Sequence, residues 1–199
     1  MNKKQILYFL FCGIVFFSCN PSILSPTEFI KWIEDEENNL IQTKTINDLE
    51  YKLQYKPIEY IVAKDKVLGD IDFSKKRIEL GDLQYFTFQI KILGSTQTPL
   101  KYNLSSENEY YERIKYFSFE IQRDLKLIVN NDTLNCVLAH FERTFNISPT
   151  ATFSLAFENN NETEIFDKEF IYTDKVFNTG PLRFIIKKQD IIDIPELKL

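Results

Sequence analysis

The chain has 199 residues, 44% of them hydrophobic, and a formal net charge of -5, which suits one globular domain and is too short for a multidomain enzyme. Its 24 Lys and Arg against 29 Asp and Glu exclude a general nucleic-acid binder, and its aliphatic and aromatic content excludes a disordered chain.

The first twenty residues carry an address. Lys3 and Lys4 precede an apolar run from Ile6 to Phe17 that only Gly13 interrupts. Twelve helical residues rise about 18 Å, short of the ~30 Å hydrocarbon core, so the run reads as a secretory signal and not as a membrane span. It ends in Phe16-Phe17-Ser18-Cys19. This ending resembles the lipobox of bacterial prolipoproteins in the relaxed form common in Bacteroidota, with Ser18 as the small residue before the cysteine and Phe16 where a leucine is usual.

The lipobox resemblance covers the leader alone and implies localisation alone; the mature portion resembles uncharacterised Bacteroidota lipoproteins of this size, with no named functional family and no site residue carried over. Residues 1–18 would be a lipoprotein signal peptide, Cys19 the lipidated residue carrying diacylglycerol and palmitate-type chains, and residues 19–25 a short tether. Asn20 is not the aspartate of inner-membrane retention and no acidic cluster follows Cys19, so the implied address is the outer membrane, facing the periplasm. Removal of residues 1–18 takes Lys3 and Lys4 and no acid, which leaves the mature chain at -7. An acidic domain is repelled by anionic lipid, so acyl chains would have to hold it. Cys12 leaves with the signal and Cys19 would be acylated, so Cys136 remains without an intramolecular disulfide partner. Within Leu134-Asn135-Cys136-Val137-Leu138 it reads as a small buried hydrophobe.

Residues 26–199 read as a single domain. Ser25-Pro26-Thr27-Glu28 is a capping box with proline at the first helical position, and a helix is expected from Pro26 to about Asn39, with Phe29, Ile33 and Leu40 on its apolar stripe. Glu34, Asp35, Glu36 and Glu37 oppose the helix dipole there, which hints at a task beyond helix stability. A solvated face is the plain reading; Ca²⁺ capture lacks the EF-hand spacing. Leu49, Tyr51, Leu53 and Tyr55 alternate with polar residues as a strand, Pro57 to Lys64 leans to helix, and Lys64 to Asp82 reads as loop. Leu83 to Leu93 is a strand with Phe86, Phe88, Ile90 and Ile92 inward. Ser106 and Glu109 cap a helix over Glu107 to about Tyr116. Phe117 to Val129 and Leu134 to Thr144 read as a hairpin about residues 130–133, Thr150 to Glu158 and Phe166 to Tyr172 as a second, and Leu182 to Lys187 as a last strand. The sum is an α+β domain, mainly antiparallel sheet, folded as a sandwich or bent half-barrel with an N-terminal and a mid-chain helix.

Fourteen Phe, nine Tyr and one Trp remain after the signal. Phe86, Phe88, Phe153 and Phe157 fall on inward strand phases and read as core, whereas Tyr110, Tyr111 and Tyr116 cannot all turn inward from one helix. Aromatic faces stack on sugars, so glycan binding enters as an alternative. Catalysis has little to build on. His140 is the single histidine, on a strand phase where a hydrogen-bonded structural role outweighs a general base, and it stands roughly 13 Å from Cys136 at ~3.3 Å per residue. No phosphate loop, C-x-x-C or G-x-S-x-G occurs, and neither a cofactor, a metal nor a nucleic acid is implied. The expectation is a non-enzymatic, lipid-anchored envelope protein that assists assembly with a protein partner; a glycan- or small-ligand-binding module comes second and a hydrolase last.

Overall fold

Alternation, broken only at the buried Thr87, makes β3 (Leu49–Lys56) and β4 (Leu83–Ile92) the centre of one wall, with Leu53 opposite Phe88 and Tyr51 opposite Ile90 across the ladder. The computed structural model describes residues 23–69, 72–81, 83–144, 147–159 and 164–198; the signal run, Cys19 and most of the tether lie outside them. To β3 and β4 are added β2 (Ile41–Ile46), β5 (Leu125–Val129), β6 (Asp132–Glu142), β7 (Thr150–Glu158), β8 (Lys168–Asp174) and β9 (Gly180–Ile186). They form one antiparallel sheet in the order β2-β3-β4-β7-β6-β5-β8-β9. The sheet curls into a near-barrel whose two outer strands approach each other: Lys44 on β2 stands 5.8 Å over the Phe184 ring of β9, and the Asn39 amide donates to Asp190 at 3.3 Å. The α+β expectation holds, in its bent-barrel form.

Aromatics fill the barrel. Phe88 is the hub, its ring centroid 5.1 Å from Tyr172, 5.4 Å from Phe170, 6.1 Å from Phe153 and 6.2 Å from Phe184. All five are at most 1% exposed. Tilted and edge-on pairs of this kind add ~0.5–1.5 kcal/mol each beyond area burial, which favours one packing over a fluid core.

Helices close the ends. α1 (Pro26–Glu34) starts as expected, Glu28 accepting from the Ser25 N–H at 3.1 Å and hydroxyl at 2.6 Å. It stops five residues short of Asn39, because Asp35 is extended and caps a separate turn, Glu36–Asn38, that ends on left-handed Asn39. α2 (Ile58–Leu68) confirms the helix after Pro57. The loop expected from Lys64 to Asp82 is instead the end of α2 and a further helix, α3 (Phe73–Leu80), capped by Asp72. No residue of α3 is buried, so it has no apolar period to read. α4 (Glu107–Lys115) is also as expected, with Ser106 accepting from the Glu109 N–H. The Ser105 N–H and hydroxyl, then Arg113, hold the Glu109 carboxyl down at about 2.

Several strand expectations are corrected. Residues 117–124 are not strand: α4 runs on into a wide π-turn, Tyr116–Glu120, and a tight turn, Ile121–Asp124, so the hairpin strand begins only at Leu125. Its turn is Asn130-Asn131, both left-handed, and β6 starts at Asp132. β7 and β8 are not a hairpin, since β7 pairs with β4 and β6 while β8 pairs with β5 and β9. β2 was not anticipated because its middle residues, Thr43 to Thr45, are polar and exposed. Finally, part of the segment expected as a tether is strand: β1 (Ile23–Leu24) runs parallel to β10 (Glu196–Leu197), which follows α5 (Lys188–Ile192).

Candidate functional site

The π-turn and a bulge in β6 meet on the wall opposite the β2/β9 seam. Phe117 points inward, 5.2 Å from Phe153 and 5.5 Å from Phe141, and Ile121 follows it inside. The three residues between them, Ser118, Phe119 and Glu120, are less buried than either. The Ser118 hydroxyl is buried without a hydrogen-bond partner, and Phe119 is thrust out to 77% exposure. Across from it the β6/β7 register slips between Cys136 and Leu138, so Val137 is the extra residue, and Val137 and Leu138 are exposed at 43% and 50%. The Gln122 amide ties the turn to the bulge by donating to the Cys136 carbonyl at 2.6 Å. Between them lies a groove of about 420 Å³ lined by Phe119, Gln122, Arg123, Lys126, Asn135 and Cys136. π-turns and bulges both recur at functional sites, since each re-aims a side chain that regular geometry would hide.

Cys136 itself is 8% exposed, its thiol donating to the Leu138 carbonyl at 3.2 Å, and burial pushes it up to about 12. It is the buried hydrophobe expected. His140 departs from expectation. It is exposed on β6, opposite Ser154 of β7, and no hydrogen bond holds it among the described residues. Tyr111 is the exposed member of its helix at 58%, packed edge-on against Tyr110, while the Tyr116 hydroxyl donates to Asp124 at 2.8 Å.

Three of the four carboxylates in the acidic run at the end of α1 have partners. Glu34 accepts from the Tyr60 hydroxyl at 2.6 Å and pairs with Lys64 at 2.8 Å, Asp35 is a cap, and Glu36 pairs with Lys52 at 2.5 Å. Among the described residues no three His, Cys, Asp or Glu side chains are grouped to hold a metal ion.

At the barrel end near the β8-β9 turn, Asp174 is 4% exposed and accepts six hydrogen bonds. Oδ1 takes Tyr172 OH at 3.2 Å, Val176 N–H at 2.9 Å and Phe177 N–H at 3.1 Å; Oδ2 takes Tyr51 OH at 3.2 Å, Thr179 N–H at 3.2 Å and Thr179 OH at 2.8 Å. Burial, with Asp174 beside them, raises the Tyr51 and Tyr172 phenols, which keeps both as donors. Nearby, Arg113 is 6% exposed, donates to the Pro99 and Tyr102 carbonyls and Glu109, and stacks 5.3 Å over Phe177. Asp174 and Arg113 are thus both spent on holding loops.

The other end holds the cavity of about 490 Å³ between Tyr55, Phe73, Arg77, Ile191, Ile194 and Leu197. Behind Tyr55, Lys168 donates to the Gln84 carboxamide and lies 5.4 Å from the Tyr55 ring. Burial pulls its amine from the ordinary 10.5 down to about 8. Between those values the unfolded chain binds the extra proton, so stability gains from this group as pH rises through that window. The urea midpoint should therefore climb more steeply from pH 8 to 10 in the wild type than in Lys168→Met. Equal slopes would refute the buried-amine assignment.

Phe119 is not singled out by sequence because Phe117, Phe119 and Ile121 alternate as a strand would, and the i, i+4 spacing of Phe117 and Ile121 fits one face of a strand and one face of a helix alike. No helix among the described residues is long and apolar enough to cross a membrane. Compared with known proteins, the chain matches no family model, no curated protein and no solved structure.

Proposed function

We propose that this chain is a lipid-anchored, non-enzymatic domain of the cell envelope that assists assembly by docking a partner protein in the Phe119 groove. One observation carries the reading: an aromatic side chain 77% exposed, held out by a π-turn that leaves a buried hydroxyl unpaired, on a groove whose other side is the strand bulge at Cys136. Fold stability alone gives no reason to keep such a side chain in water. Arg123 and Lys126 flank the groove in a chain that is otherwise acidic. An aromatic anchor with an arginine at its rim is the pattern that dominates protein interfaces energetically, and it suits a partner with an apolar pocket and an acidic margin.

The test is in-cell crosslinking and mild pull-down of the tagged protein, read by mass spectrometry. Phe119→Glu should fold normally, because the side chain makes little of the core, and should lower partner recovery by about thirtyfold or more, the loss of ~2 kcal/mol at an interface anchor. The same partner at undiminished yield from a folded Phe119→Glu protein would defeat this reading.

A further inference from the structure

We propose that the hairpin of α2 and α3 is the face this domain lays on the lipid leaflet holding its N-terminus, an inference that rests on the acyl anchor at Cys19. Val67 and Leu68 at the end of α2 are 56% and 87% exposed, and Ile78 on α3 is 78% exposed. α3 buries no residue, and ion pairs of Lys76 with Asp65 at 3.3 Å and Arg77 with Glu59 at 3.2 Å help fasten it to α2. Exposed pairs of this kind contribute little to stability. A helix retained with its apolar side chains in water needs another surface.

The chain's starting point says which surface. β1 pairs with β10, and the Lys198 N–H donates to the Leu24 carbonyl at 2.8 Å. Leu197 of β10 and Phe73 and Arg77 of α3 line the same cavity, so the first strand and α3 flank one end of the barrel. Ile23 is itself 62% exposed, and Ile192 of α5 49%. Only residues 20–22 separate Ile23 from Cys19, and four peptide steps span at most about 14 Å. An acylated Cys19 therefore keeps this end against the leaflet, while the Asp174 end stands about a strand length, ~26 Å, away.

Charge agrees. The mature chain at -7 would be repelled from an anionic surface, but residues 58–81 hold five cations and five anions. The hairpin thus offers the leaflet a neutral patch with apolar side chains, which can enter the headgroup region without electrostatic attraction.

The test uses full-length protein, acylated in cells and reconstituted into phosphatidylethanolamine and phosphatidylglycerol vesicles, with the fluorophore NBD on Leu68→Cys or Ile78→Cys. Asn108→Cys on α4 is the reference. Cys136 is buried and an acylated Cys19 is blocked, so label goes to the introduced thiol. Emission should rise about threefold on vesicles at both hairpin positions, with quenching by doxyl-labelled acyl chains, and stay constant at the reference. Flotation with the vesicles but no rise at either hairpin position overturns the docking and leaves the anchor standing. Loss of flotation together with an unacylated N-terminal peptide by mass overturns both. A rise in native envelopes that is absent in protein-free vesicles assigns the hairpin to a protein partner and overturns the lipid assignment.

Discussion

Asp174→Ala is expected to cost the domain about 3–5 kcal/mol, the range for leaving buried charged-group partners uncompensated. The carboxylate takes two phenols, one threonine hydroxyl and three backbone N–H groups, and it is 4% exposed. Alanine removes all six acceptor contacts together and leaves a pocket lined by donors. The Tyr51 and Tyr172 rings pack on Phe88, so their displacement would carry into the aromatic core. Against a typical domain stability of ~5–15 kcal/mol, such a loss is about a fifth or more of the whole. Asp174→Asn keeps one acceptor oxygen and turns the other into a donor that faces donors, so an intermediate loss is expected. Urea unfolding of the three proteins at pH 7 checks this. An alanine variant within ~1 kcal/mol of wild type would show that the network is incidental.

That network was partly legible. Asp174 and Thr179-Gly180 bracket a turn in the sequence, and Asn178 and Gly180 adopt the left-handed conformations those residues favour. What could not be read was that Tyr51, more than a hundred residues away in sequence, closes the same carboxylate from the opposite wall. Local pattern reports what a residue does to its neighbours in the chain, so β4, α1 and α4, with clean periods and caps, stood out. β2 and α3 did not, because elements that bury almost nothing carry no periodic signal. Residues 117–124 failed for a different reason. A π-turn throws out the residue between two buried ones, and its imprint in sequence is the same as that of a strand.

The two proposed surfaces also have a spatial logic. The near-barrel carries the hairpin of α2 and α3 at the β1/β10 end and the Phe119 groove on the wall across from the β2/β9 seam. On the proposed reading, anchor and groove occupy different surfaces of one aromatic core, so that tethering the chain would leave the groove free for a partner.

Cys19→Ala is expected to abolish the mature anchored form altogether. A single fourteen-carbon chain gives a membrane association constant of only about 10⁴ M⁻¹, so stable anchoring requires two or more chains, and on the proposed reading all of them sit on this one residue. The acidic domain cannot replace them by attraction to anionic lipid, and Leu68 and Ile78 alone bury too few methylenes to do so, at ~0.8 kcal/mol each. The measurement is alkaline fractionation of cells with the mass of the N-terminal peptide. The variant should persist as an unprocessed precursor that keeps its apolar leader, or appear in the soluble fraction, with no peptide of acylated mass in either. A variant of mature size that still resists the alkaline wash would mean that the domain holds the membrane by its own surface, and both the anchor and the tether geometry built on it would have to be abandoned.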